Sequence, residues 1–193
     1  GGSRVHNPNI FKRWGATTLH PPTGSFVENT NAHYSNISAL DGVVFSYPIS
    51  SNGAMSQFLF SFNVIRLIEE EFNMTIPALT TAGKIAWIKS RARNIYVTVY
   101  ARGSNQSGNK VNVDIWNVLN NDWHFKYWSA QNQVESTSAA ITPVTAGIWA
   151  RPDAGNATID ANGFVHGIAY AQPSNGTVAS TLEVEYVTIG IGG

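Results

Sequence analysis

The chain has 193 residues and a formal net charge of zero, and only 12% of its residues are charged. That length suits one domain with a sizeable core, or one domain plus an arm; the charge balance argues against a nucleic-acid binder, which carries a basic stripe, and against polybasic docking to a membrane. Cysteine is absent, which excludes a disulfide framework and a thiolate metal site.

Aromatic residues make up 11% of the chain, with six tryptophans, and Asn, Ser, Thr and Gly are plentiful. This blend is common in extracellular β-rich domains that bind sugars. No apolar run reaches the length of a membrane span, so membrane insertion is not expected. No signal peptide is visible, and the leading "GGS" reads as a cloning remnant. Five Asn-x-Ser/Thr triplets occur, at Asn36, Asn73, Asn105, Asn156 and Asn175. In a chain of this composition they carry no functional weight.

Residues 1–54 lack periodic pattern and are punctuated by Pro, Gly and Asn. They read as an N-terminal arm of loops with one short strand, "DGVVFSYPIS", after an Asp-Gly turn. A β-sandwich domain is expected over 55–193. "MSQFLFSFNVIRLIEEEF" places Phe58, Leu59, Phe62, Ile65 and Phe72 at a spacing that suits a helix near 56–72, although its Phe and β-branched content also allows a strand start. "TTAGKIAWIKSRA" predicts a second helix near 81–92, capped by Thr80 or Thr81. After Arg93 the pattern is all-β, with short alternating runs separated by turn signals. The fold expected is mostly β: a jelly-roll-like antiparallel β-sandwich with one or two short α-helices.

The densest aromatic stretch is "VNVDIWNVLNNDWHFKYWSA". Side chains alternate across a strand, so two faces can be separated. In 94–102, Ile95, Val97, Val99 and Ala101 share one face, and Tyr96, Thr98, Tyr100 and Arg102 the other. In 110–117, Val111, Val113 and Ile115 oppose Asn112, Asp114 and Trp116. In 123–129, Trp123, Phe125 and Tyr127 oppose His124, Lys126 and Trp128. If the three form a meander, Arg102 faces Lys110 and Trp116 faces His124. One face is then core. The other is a plate of Tyr96, Tyr100, Trp116 and Trp128 with Asn112, Asp114, His124 and Lys126. Aromatic faces stack on the apolar C–H face of a pyranose, and amide and charged neighbours satisfy its hydroxyls. These eight residues are the expected ligand site. An alternative stays open: a helix, the arm or a partner subunit covers the face, and Asp114–Lys126 is a cross-strand ion pair.

Catalytic signals are weaker. The five histidines have no metal spacing, and no metal or other cofactor is expected. His166 shares strand parity with Tyr170, a pair that could serve as acid and base in a sugar-cleaving lyase, but a strand histidine is more often a hydrogen-bonded structural group. "IEEEF" reads as a solvated helix face. No nucleophile elbow or phosphate loop is present. "ARPDAGN" and "QPSNGT" are loops that could contact a ligand or Ca²⁺, but ordinary turn chemistry explains them better.

Several segments resemble a module of tail-associated proteins from phages and prophages of Gram-positive bacteria: "YSNISALDG", "FSFNVIRLIEEEF", "IPALTTAGKIAWIKS", "SGNKVNVDIWN" and "GFVHGIAYAQPSNGTVASTLEVEYVTI". They cover most of the chain from residue 34 onward. The resemblance implies a jelly-roll-like domain on a tail fibre or baseplate, in the virion tail or outside the cell, that adheres to cell-surface polysaccharide. Its partners would be that polysaccharide and other tail subunits, with a homotrimer as one assembly. It implies no catalytic residues. Two departures stand out: Gly83 occupies a place usually held by Glu, and "TVYARG" replaces a Trp and Gly-Tyr-Gly pattern beside the expected plate. The function expected is therefore a non-catalytic adhesion module; a structural oligomerising tail component and a polysaccharide-degrading enzyme using His124 or His166 are the alternatives.

Overall fold

The computed structural model describes residues 8–123 and 133–193. In chain order the elements are β1 (Ile10–Ala16), β2 (Val27–Glu28), α1 (Asn31–Asn36), β3 (Phe45–Ile49), β4 (Met55–Asn63), α2 (Val64–Glu71), α3 (Thr81–Arg91), β5 (Asn94–Asn105), β6 (Gly108–Asn109), β7 (Val111–Ile115), β8 (Gln133–Ser136), β9 (Thr142–Ile148), α4 (Ala154–Thr158), β10 (Phe164–Ala171) and β11 (Ser180–Gly192). The strands form two antiparallel sheets, so the molecule is a mostly-β sandwich with short helices, as expected. The first sheet runs β2-β1-β4-β10-β7-β8. The second runs β3-β11-β5, and the far edge of β5 pairs with β9 along Ile95–Ala101 and with β6 at Ser104 and Asn105.

The inner faces carry the apolar halves of the alternating runs. Phe58, Phe60 and Phe62 from β4, Val111, Val113 and Ile115 from β7, and Val165 and Ala169 from β10 face Ile95, Val97, Val99 and Ala101 from β5. Phe11 sits in a nest of rings, 5.4–5.7 Å from Tyr34, Phe45, Phe58 and Phe60. Offset and edge-on ring pairs of this kind add to the burial term. The helices close the end of the sandwich where β4 and β9 finish and where β5 and β10 begin. Leu67 and Ile68 of α2, Ile85 and Ile88 of α3, and Ala154 and Ala157 of α4 all enter the same core. Helix α3 starts as its sequence predicts, with the Thr80 hydroxyl accepting from Gly83 N at 3.0 Å.

Three expectations are corrected. The N-terminal arm expected over 1–54 is not what the described part of it, 8–54, forms: β1 pairs with β4 from Ile10 to Ala16, and β3 pairs with β11 from Phe45 to Ile49. The helix expected near 56–72 begins only at Val64. Residues 55–63 are a central strand that is buried on both faces, and its outward side carries Leu59 between Gln57 and Ser61, so Phe58, Leu59 and Phe60 run together as an unbroken apolar stretch. The three-stranded meander does not form. Lys110 N still bonds Gly103 O at 3.0 Å, but the chain then leaves the second sheet for the first, so β5 and β7 lie in different sheets. Gly103 permits that crossing, because a Cβ there would lie 2.3 Å from the Lys110 carbonyl oxygen. Of the expected third strand, Trp123 is a buried bend, and the rest lies outside the described residues.

Candidate functional site

The outward face of the second sheet is organised by β5. Its burial alternates along the strand as the sequence predicts, with Tyr96, Thr98, Tyr100 and Arg102 half-buried on the outer side. Tyr96 pairs with Gly190 on one side and Gly147 on the other. A Cβ at Gly190 would lie 2.2 Å from Tyr96 Cζ, so the phenol ring lies down along the sheet over that glycine. It stacks on Trp149 at 5.8 Å and 22°. The next row is Thr145, Thr98 and Thr188, in which the Thr98 and Thr145 hydroxyls are bonded at 2.8 Å. Beyond it Tyr100 meets Tyr186 at 5.8 Å and 47°, with Pro143 opposite. The last row is an ion pair, with Arg102 donating to Glu183 at 2.7 and 3.1 Å. The face therefore reads ring pair, hydroxyl row, ring pair, closed charge pair. It offers stacking surface and neutral hydrogen-bonding groups side by side, which is what a saccharide needs.

The outward face of the first sheet is covered instead. Residues 17–26 fold across it. His20 N donates to Gln57 Oε1 at 2.9 Å, Gln57 Nε2 donates to Thr18 O at 3.0 Å, and Trp123 Nε1 donates to His20 O at 2.6 Å. Leu19 and Phe26 pack on a second small core of Leu59, Trp123, Ile168 and Tyr170. On the same side of the sheet Asn112 is 3% exposed and Asp114 is fully buried. Burial, and then the negative charge of Asp122, push the Asp114 carboxyl up to about 8. Trp116 is half-buried and meets Trp123 edge-on at 5.0 Å and 70°.

The single plate expected from the sequence is thus divided. Tyr96 and Tyr100 lie on the outer face of the second sheet; Asn112, Asp114 and Trp116 lie on the outer side of the first. His124, Lys126 and Trp128 lie outside the described residues. The cause is the change of sheet between Gly103 and Val111, which breaks the register that would have joined them. Trp149, Thr145, Tyr186 and Thr188 join Tyr96 and Tyr100, and sequence reasoning missed them. Alternation in "ITPVTAGIW" could have found Thr145. Tyr186 was harder to find, because a bulge between Val184 and Tyr186 puts Glu183 and Tyr186, three apart, in register with Arg102 and Tyr100 on the same face.

His166 is engaged by residues other than Tyr170. Its Nδ1 is 2.7 Å from Ser61 Oγ and its Nε2 is 2.8 Å from Asp160 Oδ2. Asp160 also accepts the Asn162 and Phe164 amides, each at 2.9 Å. Burial works against the Asp160 carboxylate, but the bonds from His166 and the Phe164 amide outweigh it and hold the carboxyl below its ordinary value. The residue types are those of a serine-hydrolase relay, but the hydroxyl sits on Nδ1 and the carboxylate on Nε2, the reverse of the working order. Ser61 is also 1% exposed, so a substrate carbonyl could not reach its oxygen in this conformation. The network ties β4, β10 and the turn before β10 together. Among the described residues no group of three His, Asp or Glu could hold a metal ion.

No protein-family model matches the chain, and neither the curated proteins nor the solved structures compared with it give a match.

Proposed function

We propose that the protein is a non-catalytic carbohydrate-binding module that lays a cell-surface polysaccharide against the outer face of the second sheet. One observation carries the reading: Tyr96 lies flat over Gly190, stacked on Trp149 at 5.8 Å, beside a row of three threonines. A ring held flat by a glycine is already in its binding posture, so little ordering cost remains to be met on association. Each stacked ring contributes only a modest free energy, so binding is shallow and gains from repetition along a polymer. The particle is proposed from the sequence resemblance alone: a tail or baseplate component of a phage or related particle, used for host adhesion. The enclosure of His166 between Ser61 and Asp160 supports a role without catalysis.

The test is a glycan array and a whole-cell pull-down with the parent, Tyr96→Ala and Trp149→Ala, with circular dichroism to show that each variant is folded. Loss of binding in both variants is expected. Folded variants that hold cells as strongly as the parent would remove this face as the site. The same face favours a second reading, an oligomerising structural component whose subunits bury these rings. Light scattering on a gel-filtration column separates the two: a trimer that dissociates when Trp149 is replaced supports the second.

A further inference from the structure

The opposite end of the sandwich from the helices carries a cleft of about 680 Å³. Its walls come from the loop before β4, the β5–β6 turn and the loop after β10. Amides dominate its lining, among them Asn52, Gln106, Asn109, Gln172 and Asn175. Among the described residues that line it Lys110 alone is charged, and it is paired with Glu135 at 3.1 Å.

The three walls are bonded to one another. Gly53 N donates to Ser174 O at 2.7 Å, and Ser174 N donates to Ala54 O at 2.9 Å. Asn105 Nδ2 donates to Pro173 O at 2.8 Å. Asn175 Oδ1 accepts the Thr177 and Val178 amides at 2.9 and 2.8 Å. These bonds fix the cleft without using the side-chain amides of Asn52, Gln106 and Gln172. An amide offers two donors and an acceptor, which matches vicinal hydroxyls and gives an anion no positive charge to settle on.

β5 leads from Tyr96 on the aromatic face, past the Arg102–Glu183 pair, to Asn105 at the rim of the cleft. That is nine residues of extended chain, roughly 30 Å. We infer that the cleft is a second subsite of the same surface, and that the ligand is an uncharged linear glycan long enough to reach from the Tyr96–Trp149 pair into the amide-lined end. This rests on the saccharide reading of the sheet face.

The experiment is a calorimetric or NMR titration with size-graded neutral oligosaccharides, from disaccharide to octasaccharide, in β-1,4-glucan, dextran and N-acetylglucosamine series. The parent, the double variant Gln106→Ala/Gln172→Ala and Tyr96→Ala are compared. For a series that binds, the parent's affinity is expected to rise about tenfold or more with length. The double variant should bind the disaccharide as the parent does and lose that rise, whereas Tyr96→Ala should weaken at every length. A double variant that keeps the full rise overturns the subsite and leaves the sheet-face reading standing. A Tyr96→Ala protein that binds every length as the parent does overturns the sheet-face reading. A parent that binds none of the three series overturns both.

Discussion

Replacing Gly190 with alanine tests the aromatic face without removing a ring. The added Cβ would lie 2.2, 2.4 and 2.5 Å from Tyr96 Cζ, Cε2 and Oη, so something must move. All three atoms belong to the far end of a rotatable side chain, and the ring is expected to swing off the sheet and away from Trp149. Gly190 is not among the glycines with positive φ, so alanine fits its backbone. Loss of unfolded-state freedom then favours the variant by roughly 0.4–1 kcal/mol. Loss of the ring contacts opposes it by roughly 0.5–1.5 kcal/mol. These nearly cancel, so the melting temperature should move by no more than about 4 °C in a chain of this size. On the proposed function, saccharide affinity has no such compensation and should fall about two- to tenfold. Two controls set the scale. At Gly192 a Cβ meets only Asn94 Nδ2, at 3.6 Å, and alanine should be silent. At Gly147 it meets the Ile95 carbonyl oxygen at 2.7 Å and Tyr96 Cα at 2.8 Å, so backbone must yield and about 1–3 kcal/mol is lost. The assay is ¹⁹F NMR of protein labelled with 5-fluorotryptophan, with Trp149 assigned by its replacement with Phe, run beside thermal melts. A Trp149 signal that stays in place in Gly190→Ala would show that Tyr96 does not rest on that glycine.

Phe60→Ala empties the centre of the ring nest, where Phe60 is fully buried and stacks on Phe11 at 5.5 Å. It should cost about 3–5 kcal/mol in urea unfolding, and a loss under about 1 kcal/mol would contradict the packing. Asp114 has a folded pKa of about 8, above its unfolded value near 4, so its favourable contribution is complete at low pH and is lost as pH rises between about 4 and 8, at up to about 1.4 kcal/mol per pH unit. Melting curves from pH 4.5 to 8.5 should therefore fall less steeply for Asp114→Asn than for the parent, and parallel curves would refute the burial of that carboxyl. Asp160 has the opposite sign: its folded pKa is depressed, so its contribution is present above about pH 4 and fades as pH drops through the folded value. Asp160→Ala should lose about 1–3 kcal/mol at neutral pH, from the three bonds it accepts, and the gap from the parent should narrow in acid. A gap that widens below about pH 4 would count against the depressed value.

Local chemistry was legible where a signal lies within a few residues. The run Ile95–Arg102 declared its two faces, because side chains on a strand must alternate and only one set is aliphatic. Thr80 declared the start of α3, because its hydroxyl satisfies an otherwise orphaned amide. The absence of a basic stripe and of cysteine shaped the reading as well. The same rules misread 56–63. They assume that burial on both faces, spread over Phe58, Leu59, Phe60 and Phe62, belongs to a helix with a wide apolar side. Leu59 is buried by residues far away in the chain, in a cluster with Trp123, Ile168 and Tyr170 against which Leu19 and Phe26 pack.

Sequence by itself determined that the chain alternates over β5 and β7 and which residues within those two strands share a face. It also placed Tyr96 and Tyr100 on an outward side. Only tertiary structure decided which outward side that is, and who their neighbours are. Strand pairing is non-local, and a β-strand's own residues do not say which partner it will take. One close approach at Gly103 sends β7 to the other sheet, and one bulge at Val184/Tyr186 brings Tyr186 beside Tyr100. The first of those backbone events separates Asn112, Asp114 and Trp116 from the tyrosines and the second puts Tyr186 beside Tyr100, while the pairing of β9 with β5 brings in Trp149; none of this is visible in side-chain periodicity.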